Sequence, residues 1–262
     1  MLDLDAEVLG SYLGEVTEWV GRHAPKTPRT ILDLGAGTGT GSLALAHRFP
    51  TAEVIALDSS SVMLERIRTR AHAQDLASRV RPLQADLDGT WPQELRAVDI
   101  AWAASSLHHV ADPDRVLRDI HAALTPGGLL AVVEMDDLPS FLPDDIGLGR
   151  PGLESRCHEA LTHAGWNKHP DWRSHLKQAG FEIAGQHTFT MHANPASDLG
   201  QYAHAFLRRV RFALTDQLAA DDLAALDALL ADDTPASLLH RNDLSVRGSR
   251  TAWAARRPSA IS

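Results

Sequence analysis

Glycines at alternate positions follow an apolar segment near the start of the chain. Residues 30–34, Thr-Ile-Leu-Asp-Leu, have the composition of a short buried strand, and the run Gly-Ala-Gly-Thr-Gly-Thr-Gly follows at 35–41. Residues 42–48 then suit a helix. Glycine has no Cβ, so such a loop lets the backbone approach a ligand at the amino terminus of a helix. The pattern predicts a strand, a tight loop and a helix around a nucleotide-like ligand.

Apolar and amphipathic segments alternate on both sides of this loop. We predict further strands at 53–57, 80–84, 97–101, 129–134, 181–192 and 249–256. We predict the other helices at 5–22, 62–73, 113–124, 171–179 and 195–233. Strands that are apolar almost throughout indicate a parallel sheet covered on both faces. The predicted fold is doubly wound α/β: a Rossmann-like seven-stranded sheet, mostly parallel with an antiparallel last strand, plus helical lid insertions.

Two segments interrupt this alternation, and they divide the chain into regions. We expect a capping helix at 1–28, a cofactor-binding core at 29–134, an insert at 135–170, a helix and strand of the core at 171–194, a helical lid at 195–240 and a final core strand at 241–262. The insert and the helical lid are interpreted as a cover over a substrate, although they could also be surface decoration. Apolar walls for that substrate would come from Phe141, Trp166, Tyr202, Phe206 and Phe212.

Charge and composition narrow the class of partner. The chain has 262 residues, of which 44% are hydrophobic and 23% charged, values typical of globular proteins. Its formal net charge of -9 disfavours nucleic acid as a partner, and the local cluster Arg208, Arg209 and Arg211 is interpreted as a solvated helix face. A small molecule is therefore the expected partner, and we expect a monomer or a homodimer.

The single cysteine and the first residues of the chain indicate the cellular compartment to expect. Cys157 is the only cysteine, and the fourteen histidines show no recognisable metal-binding spacing, so we expect no disulfide and no metal. The first residues are acidic where a secretory signal is basic, and no apolar run approaches the roughly 20 residues that span a bilayer. We expect a cytoplasmic protein that does not bind a membrane.

Acidic residues follow the second and third predicted strands. Asp58 ends the second strand, where a carboxylate can accept both hydroxyls of a ribose. Asp86 follows the third strand, where it could meet an adenine amino group or simply form a turn. The glycine spacing departs from the dinucleotide fingerprint, because Thr40 stands where the third glycine is required. An adenosine-containing ligand other than a dinucleotide is therefore favoured.

Five motifs together resemble the class I S-adenosylmethionine-dependent methyltransferases of the small-molecule type, which include ubiquinone and menaquinone biosynthetic enzymes. The motifs lie at 31–39 (ILDLGAGTG), 56–58 (ALD), 84–86 (QAD), 105–110 (SSLHHV) and 124–128 (LTPGG). The resemblance covers about residues 30–134. The insert and the helical lid match no family pattern, so the acceptor of the methyl group is left open.

The resemblance implies a role for each residue that matches a motif. The cofactor would be S-adenosylmethionine, with S-adenosylhomocysteine as the product. Asp58 would hold the ribose, Asp86 the adenine, and Ser105 would lie near the transferred methyl group. Tyr12 would reach the methionine carboxylate, although a tyrosine of the core is an alternative. The remaining cofactor contacts implied are Asp33, Gly35, Ala36, Gly37, Gly39, Ser59, Ala85 and Leu87.

Methyl transfer needs the nucleophile in line behind the bond that breaks, so the protein mainly positions its ligands and excludes water. A nucleophile with a proton to lose also benefits from a base, and His108 or His109 follows the fourth strand where a base could act. Glu134, at the end of the fifth strand, is a further candidate for deprotonation or amine binding. All three could instead be structural.

The predicted function is transfer of a methyl group to O, N or C of a small molecule, and the expected setting is specialised-metabolite biosynthesis. A catalytically silent S-adenosylmethionine-binding regulatory or scaffold protein is one alternative. An NAD-dependent oxidoreductase is another, which the glycine spacing disfavours.

Overall fold

The computed structural model describes residues 10–166, 171–193 and 199–259. Two compact units divide these residues. The larger unit holds 11–135, 171–189 and 250–259, and the smaller unit holds residue 10, 136–166, 190–193 and 199–249. Residues 241–249, which the sequence assigns to the last core strand, thus fall in the smaller unit.

Strands and helices alternate along the chain. The strands are β1 (Thr30–Leu34), β2 (Glu53–Asp58), β3 (Val80–Gln84), β4 (Val98–Ala104), β5 (Leu124–Met135), β6 (Glu182–Ala193) and β7 (Val246–Arg256). The helices are α1 (Gly10–His23), α2 (Thr40–Arg48), α3 (Ser61–Ala73), α4 (Pro113–Ala123), α5 (Leu153–His163), α6 (Arg173–Gln178), α7 (Leu199–Ala213) and α8 (Ala220–Leu230). A short 3-10 turn, Leu107–His109, follows β4.

The seven strands form one sheet in the order β3-β2-β1-β4-β5-β7-β6. Strands β1 to β5 pair in parallel, and β7 pairs antiparallel with β5. The predicted doubly wound, mostly parallel sheet with an antiparallel last strand is confirmed. Parallel strands end at the same edge of a sheet, so the segments that follow β1 to β5 all emerge at the carboxyl edge.

Apolar side chains cover both faces of the sheet in the larger unit. One cluster includes Ile31, Trp102 and Val133 with Val16 and Val20 of α1. The other cluster includes Leu32, Leu34 and Val132 with residues of α4 and α6. Successive residues of a strand alternate between faces, so Asp33 shares the face of Ile31 and is buried to 3% exposure.

The smaller unit has an apolar centre of its own. Phe141 packs edge-on against Tyr202 at a ring-centroid distance of 5.1 Å and lies 5.5 Å from Phe206. Beside it the buried carboxylate of Glu154 accepts hydrogen bonds from the backbone N–H of Phe141 and Leu142, each at 2.9 Å. Burial raises the pKa of Glu154 to about 7, against these bonds and the charge of Arg247, which lower it. The loop that carries Phe141 is therefore fixed to α5.

Several predicted boundaries differ from the structure. The insert contains helix α5, which the sequence analysis missed because prolines and glycines precede it, and Gly152 begins the helix from a left-handed conformation. Strand β5 begins at Leu124, before the predicted start at 129, with a register shift where Val98 and Ile100 pair with it. The helix predicted over 195–233 is two helices, α7 and α8. Residues 5–9 of the first predicted helix lie outside the described part of the chain.

One predicted substrate contact is wrong. Phe212 was expected to line an apolar wall, but it is 84% exposed on α7. It lies six positions beyond the buried Phe206, a spacing that points the two side chains in different directions at 3.6 residues per turn. Across the described ranges, every helix is too short or too polar to cross a bilayer.

Candidate functional site

The glycine loop between β1 and α2 requires its glycines. Gly35, Gly37 and Gly39 have φ angles of 68°, 55° and 83°, in the left-handed region that disfavours side chains. A Cβ on Gly35 would stand 2.6 Å from Cβ of Ser106, and one on Gly39 would stand 2.7 Å from Cγ1 of Ile67. The backbone of the loop therefore packs closely against neighbouring side chains and presents N–H groups at the start of α2.

Two side chains support this loop from within the unit. The Arg70 guanidinium donates to the carbonyl of Thr38 and to Oγ1 of Thr40, each at 3.1 Å. Ser42 donates from Oγ to Oδ2 of the buried Asp33 at 2.5 Å. Burial raises the pKa of Asp33 to about 7, the Ser42 bond opposes that shift, and the charge of Asp58 adds to it. Asp33 is thus a support of the loop in this geometry.

Asp58 joins the end of β2 to the glycine loop. Its Oδ2 accepts the N–H of Gly37 at 2.8 Å, and its Oδ1 accepts the N–H of Ser60 at 2.8 Å. A carboxylate offers about four acceptor positions, so two hydrogen bonds leave capacity for two hydroxyl donors. These backbone bonds fix the orientation of the carboxylate. Ser59, the neighbouring prediction, is exposed and accepts from the Gln84 side chain through its carbonyl.

Asp86 shapes the loop after β3. Its Oδ1 accepts the N–H of Asp88 at 2.9 Å, which is the turn-forming role considered as the alternative. The flanking Ala85 and Leu87 are half-buried and pack against the apolar cluster around Leu32 and Leu34. An apolar surface with a carboxylate beside it is therefore present where the adenine was expected.

Ser105 and Ser106 leave the end of β4 in a strained turn. Ser105 has a φ of 51°, unusual for a residue with a side chain, and its N–H donates to the carbonyl of Val133 at 2.8 Å. Among the described residues, neither serine Oγ has a hydrogen-bond partner although both are buried. Buried hydroxyls are normally bonded, so these two fit a polar ligand group beside Gly35.

Glu134 and His108 form the second polar group at this edge. Glu134 is 2% exposed, and its Oε1 accepts the N–H of Ser106 at 3.1 Å and of Leu107 at 3.0 Å. Its Oε2 lies 2.7 Å from Nδ1 of His108. That bond assigns the Nδ1 proton to His108 and leaves Nε2 as an acceptor when the ring is neutral. The ring of His109 packs against the ring of His108 at a centroid distance of 4.0 Å.

Tyr12 lies on α1 beside the same face of the sheet. Its ring meets Phe189 edge-on at 5.8 Å, and the guanidinium of Arg250 stands 5.3 Å from its centroid. Tyr12 therefore packs in the aromatic part of the core, as the alternative interpretation held, and also lies next to the positive charge of Arg250.

The structure therefore collects most of the predicted residues along one edge of one unit. These residues lie at the end of a strand of the larger unit or just after it: Asp58, Asp86, Ser105, His108, Glu134 and the glycine loop. The predicted substrate residues Phe141, Trp166, Tyr202 and Phe206 belong to the smaller unit, where Trp166 lies under the guanidinium of Arg209 at 5.9 Å.

Three residues that shape the site were given no role from the sequence. Ser106 was named only as part of a motif, although the requirement for glycine at position 35 indicates that another residue packs closely there. Arg70 and Arg250 gave no local signal, because their contacts depend on segments far away in the sequence.

Comparison with known proteins finds a family match for part of the larger unit. Residues 31–128 match the model of a family described as a methyltransferase domain. The resemblance to class I S-adenosylmethionine-dependent methyltransferases is confirmed by this match and by relatives that carry methyltransferase names.

Two relatives illustrate the similarity of the methyltransferase domain. A trans-aconitate 2-methyltransferase of Methylobacterium radiotolerans is 39% identical over 121 residues, which cover 46% of this chain and 44% of that protein. A demethylmenaquinone methyltransferase of Thermus thermophilus is 38% identical over 114 residues, which cover 44% and 50%. The chain spans about half the length of these relatives, so their acceptors are not transferred with the domain.

Solved structures extend the likeness beyond the methyltransferase domain, at the level of fold. Geranyl diphosphate methyltransferase in complex with S-adenosylmethionine gives a TM-score of 0.54 at 16% identity, covering 93% of this chain and 85% of that one. The cyclase SpnF gives a TM-score of 0.53 at 22% identity, covering 94% and 82%. These neighbours show the fold alone, so the reaction has to be inferred from the residues of the site.

Proposed function

We propose that this chain transfers the methyl group of S-adenosylmethionine to a small-molecule acceptor. The observation that carries the proposal is the Asp58 carboxylate, which two backbone N–H groups hold beside the left-handed glycine loop with acceptor capacity to spare. In this proposal Asp58 binds the ribose diol, and Ala85, Asp86 and Leu87 surround the adenine. Gly35, Ala36, Gly37 and Gly39 lie beneath the methionine part.

The site fits this cofactor on two further counts. The buried hydroxyls of Ser105 and Ser106 supply polar atoms at the end of β4, where the methionine amino group would lie. A side chain on Gly35 would collide with Ser106, so the loop can only present backbone there. When bound, the cofactor supplies a methyl group on a positively charged sulfur, already activated for transfer.

The residues of the chain then have to position the acceptor and remove its proton. His108 is assigned as the base, because Glu134 fixes its Nδ1 proton and leaves Nε2 to accept one from a hydroxyl, amine or acidic carbon. Glu134 acts as a positioning residue through His108, since both of its oxygens already hold hydrogen bonds inside the unit. His109 orients the His108 ring by packing.

Acceptor choice is assigned to the smaller unit. None of the residues 31–128 that match the family model belongs to this unit, and its aromatic centre at Phe141, Tyr202 and Phe206 has no counterpart among the motifs. Relatives of the domain are named for trans-aconitate, demethylmenaquinone and malonyl-[acyl-carrier protein]. Small acidic metabolites and hydrophobic ring compounds are therefore the acceptors to test first. The proposed role is in specialised-metabolite biosynthesis, and the identity of the methylated acceptor tests it.

Ligand binding tests the cofactor assignment. S-adenosylmethionine and S-adenosylhomocysteine should raise the melting temperature and NAD should not, because a ligand stabilises only the state that binds it. Asp58→Asn should weaken binding of S-adenosylhomocysteine by at least about 10-fold, since hydrogen bonds to a charged group contribute about 1.5–3 kcal/mol. Asp75→Asn makes the same change of charge at an exposed loop and serves as the control.

Turnover is tested separately with methyl-labelled cofactor and the two acceptor classes above. Transfer of label to one of them establishes the reaction. Binding without transfer to any acceptor would favour a silent cofactor-binding protein, and no binding of either nucleoside would refute the proposal.

A further inference from the structure

Hydrogen bonds join the loop after β3 (residues 85–89, the β3 loop) to the segment after β4 (residues 105–112, the β4 loop). Oδ1 of Asp88 accepts the N–H of Ala111 at 2.8 Å. The guanidinium of Arg115, in the first turn of α4, donates to the carbonyl of Leu87. Strands β3 and β4 are not neighbours, because β2 and β1 lie between them. At about 4.8 Å per strand they are about 14 Å apart, so these bonds and not strand pairing hold the loops together.

The link between the loops is well supported. Nη1 of Arg115 donates to Oδ2 of Asp119 at 2.7 Å, which fixes the guanidinium on α4. Beneath the hydrogen bonds, Ala85 and Leu87 of the β3 loop and Val110 of the β4 loop pack against the same apolar cluster. A displacement of one loop would therefore disturb the other.

Within the β3 loop, Asp86 determines where Asp88 lies. Oδ1 of Asp86 accepts the N–H of Asp88 at 2.9 Å, and the carbonyl of Asp86 accepts the N–H of Gly89 at 3.0 Å. Such a turn holds the residue two positions on in a fixed relation to the aspartate. Contacts thus run from Asp86 through Asp88 to Ala111.

The β4 loop carries His108 between two anchors. On one side, the N–H groups of Ser106 and Leu107 donate to Glu134 of β5. On the other side, Ala111 donates to Asp88 of the β3 loop. The backbone position of His108 therefore depends on the β3 loop as well as on Glu134.

We propose that Asp88, with Arg115, is a positioning residue through which an occupied adenine site orients His108. The inference rests on the proposed function, which assigns the adenine to Asp86 and the role of base to His108. It requires that adenosine bind one position of the β3 loop better than others, since a ligand shifts a conformation only by its difference in affinity. Binding of the cofactor then aligns the base.

Nuclear magnetic resonance of histidine-labelled protein tests this coupling without an acceptor. The ring resonances of His108 are assigned with His108→Gln and followed during titration with adenosine and with S-adenosylhomocysteine. Adenosine lacks the methionine part, so it reports on the adenine and ribose sites alone. In the wild-type protein, saturation with either ligand should shift the His108 resonances.

Three variants interrupt or keep the link. Asp88→Ala removes the acceptor of the Ala111 N–H and should lose most of the ligand-induced shift at saturation. Asp88→Asn keeps an oxygen that can accept this N–H and should retain the shift. Arg115→Met removes the donor to Leu87 and should reduce the shift by a separate route, so the test stands even if Asp88→Ala unfolds.

Asp145→Ala is the matched control. Asp145 is also an exposed aspartate that accepts a loop N–H, that of Gly147 at 2.9 Å, and it belongs to the smaller unit. The control should leave the shift unchanged. A purely structural role of Asp88 would lower the melting temperature but would leave the response of His108 to a saturating ligand intact.

The proposal is overturned if binding of both ligands leaves the His108 resonances of the wild-type protein unchanged. It is also overturned if Asp88→Ala and Arg115→Met respond as the wild type does, or if Asp145→Ala loses as much of the shift as Asp88→Ala. In these cases binding of the nucleosides still supports the proposed function. If neither ligand binds the wild-type protein, both proposals fail together.

Discussion

Nδ1 of His108 lies 2.7 Å from Oε2 of Glu134, a residue 26 positions further along the chain. Two different strand ends supply this pair, because His108 follows β4 and Glu134 is the last residue but one of β5. Since parallel strands β4 and β5 are neighbours, the fold itself sets the distance between base and carboxylate. The pair has the arrangement in which a carboxylate fixes the tautomer and orientation of an imidazole base.

Glu134→Gln should slow methyl transfer without weakening cofactor binding. General acid–base catalysis contributes about 10²–10⁴-fold, so misorienting the base should lower kcat by about 10- to 100-fold. The affinity for S-adenosylhomocysteine and the melting temperature should change little, because glutamine can still accept a backbone N–H. Steady-state kinetics and calorimetry measure these quantities.

The double variant with His108→Gln distinguishes positioning from a structural effect. If Glu134 acts only through His108, the double variant is no slower than His108→Gln alone. Rate losses that simply multiply would show that the two residues act independently.

Asp33→Asn should flatten the dependence of stability on pH. The folded protein keeps the Asp33 proton up to about pH 7, whereas an unfolded chain releases it near the ordinary value of 3.8. The folded state binds more protons between these values, so the free energy of unfolding falls as pH rises through that window and levels off above it. Asparagine removes this proton and can still accept the hydrogen bond from Ser42.

Urea denaturation at about pH 5 and about pH 8 measures the effect, and exposed Asp75→Asn is the control. Asp33→Asn should lose less stability between the two pH values than the wild type and should equal or exceed it at the higher one. An undiminished loss in the variant would show that another group causes the pH dependence.

Two phenylalanines of α7 should respond differently to truncation. Phe206 is 6% exposed and packs against Phe141, so Phe206→Ala should cost about 3–5 kcal/mol of unfolding free energy, the range for a buried phenylalanine. Phe212 is 84% exposed, and Phe212→Ala should stay within about 0.5 kcal/mol of the wild type. Chemical denaturation of both variants provides the comparison, and equal effects would contradict the packing of this unit.

The residues that the sequence could place at the site are those that lie at the ends of strands. A short apolar strand followed by Asp58, or by Ser105, is visible locally, and the rule for parallel sheets then places both residues at one edge. The loop glycines are similarly local, because their left-handed conformations are set by the turn itself. For these residues the sequence needed no knowledge of distant partners.

Other features depended on contacts that the sequence does not display. Helix α5 was hidden by the prolines before it, and its fixation depends on Glu154 reaching the backbone of Phe141. The contact of Arg250 with Tyr12 depends on the register that pairs Arg250 with Met135. The spacing between Phe206 and Phe212 on the helix could have predicted that only one of them is buried. The prediction for Phe212 was wrong because it considered only that the residue is aromatic.

The position of β7 in the sheet determines when the last strands can pair during synthesis of the chain. This strand lies between β5 and β6 although it comes after both in the chain. During synthesis, β6 therefore has no adjacent strand to join until residues 246–256 have left the ribosome. A partly made chain would present the unpaired margins of β5 and β6 to other molecules, which is a recognised route to aggregation.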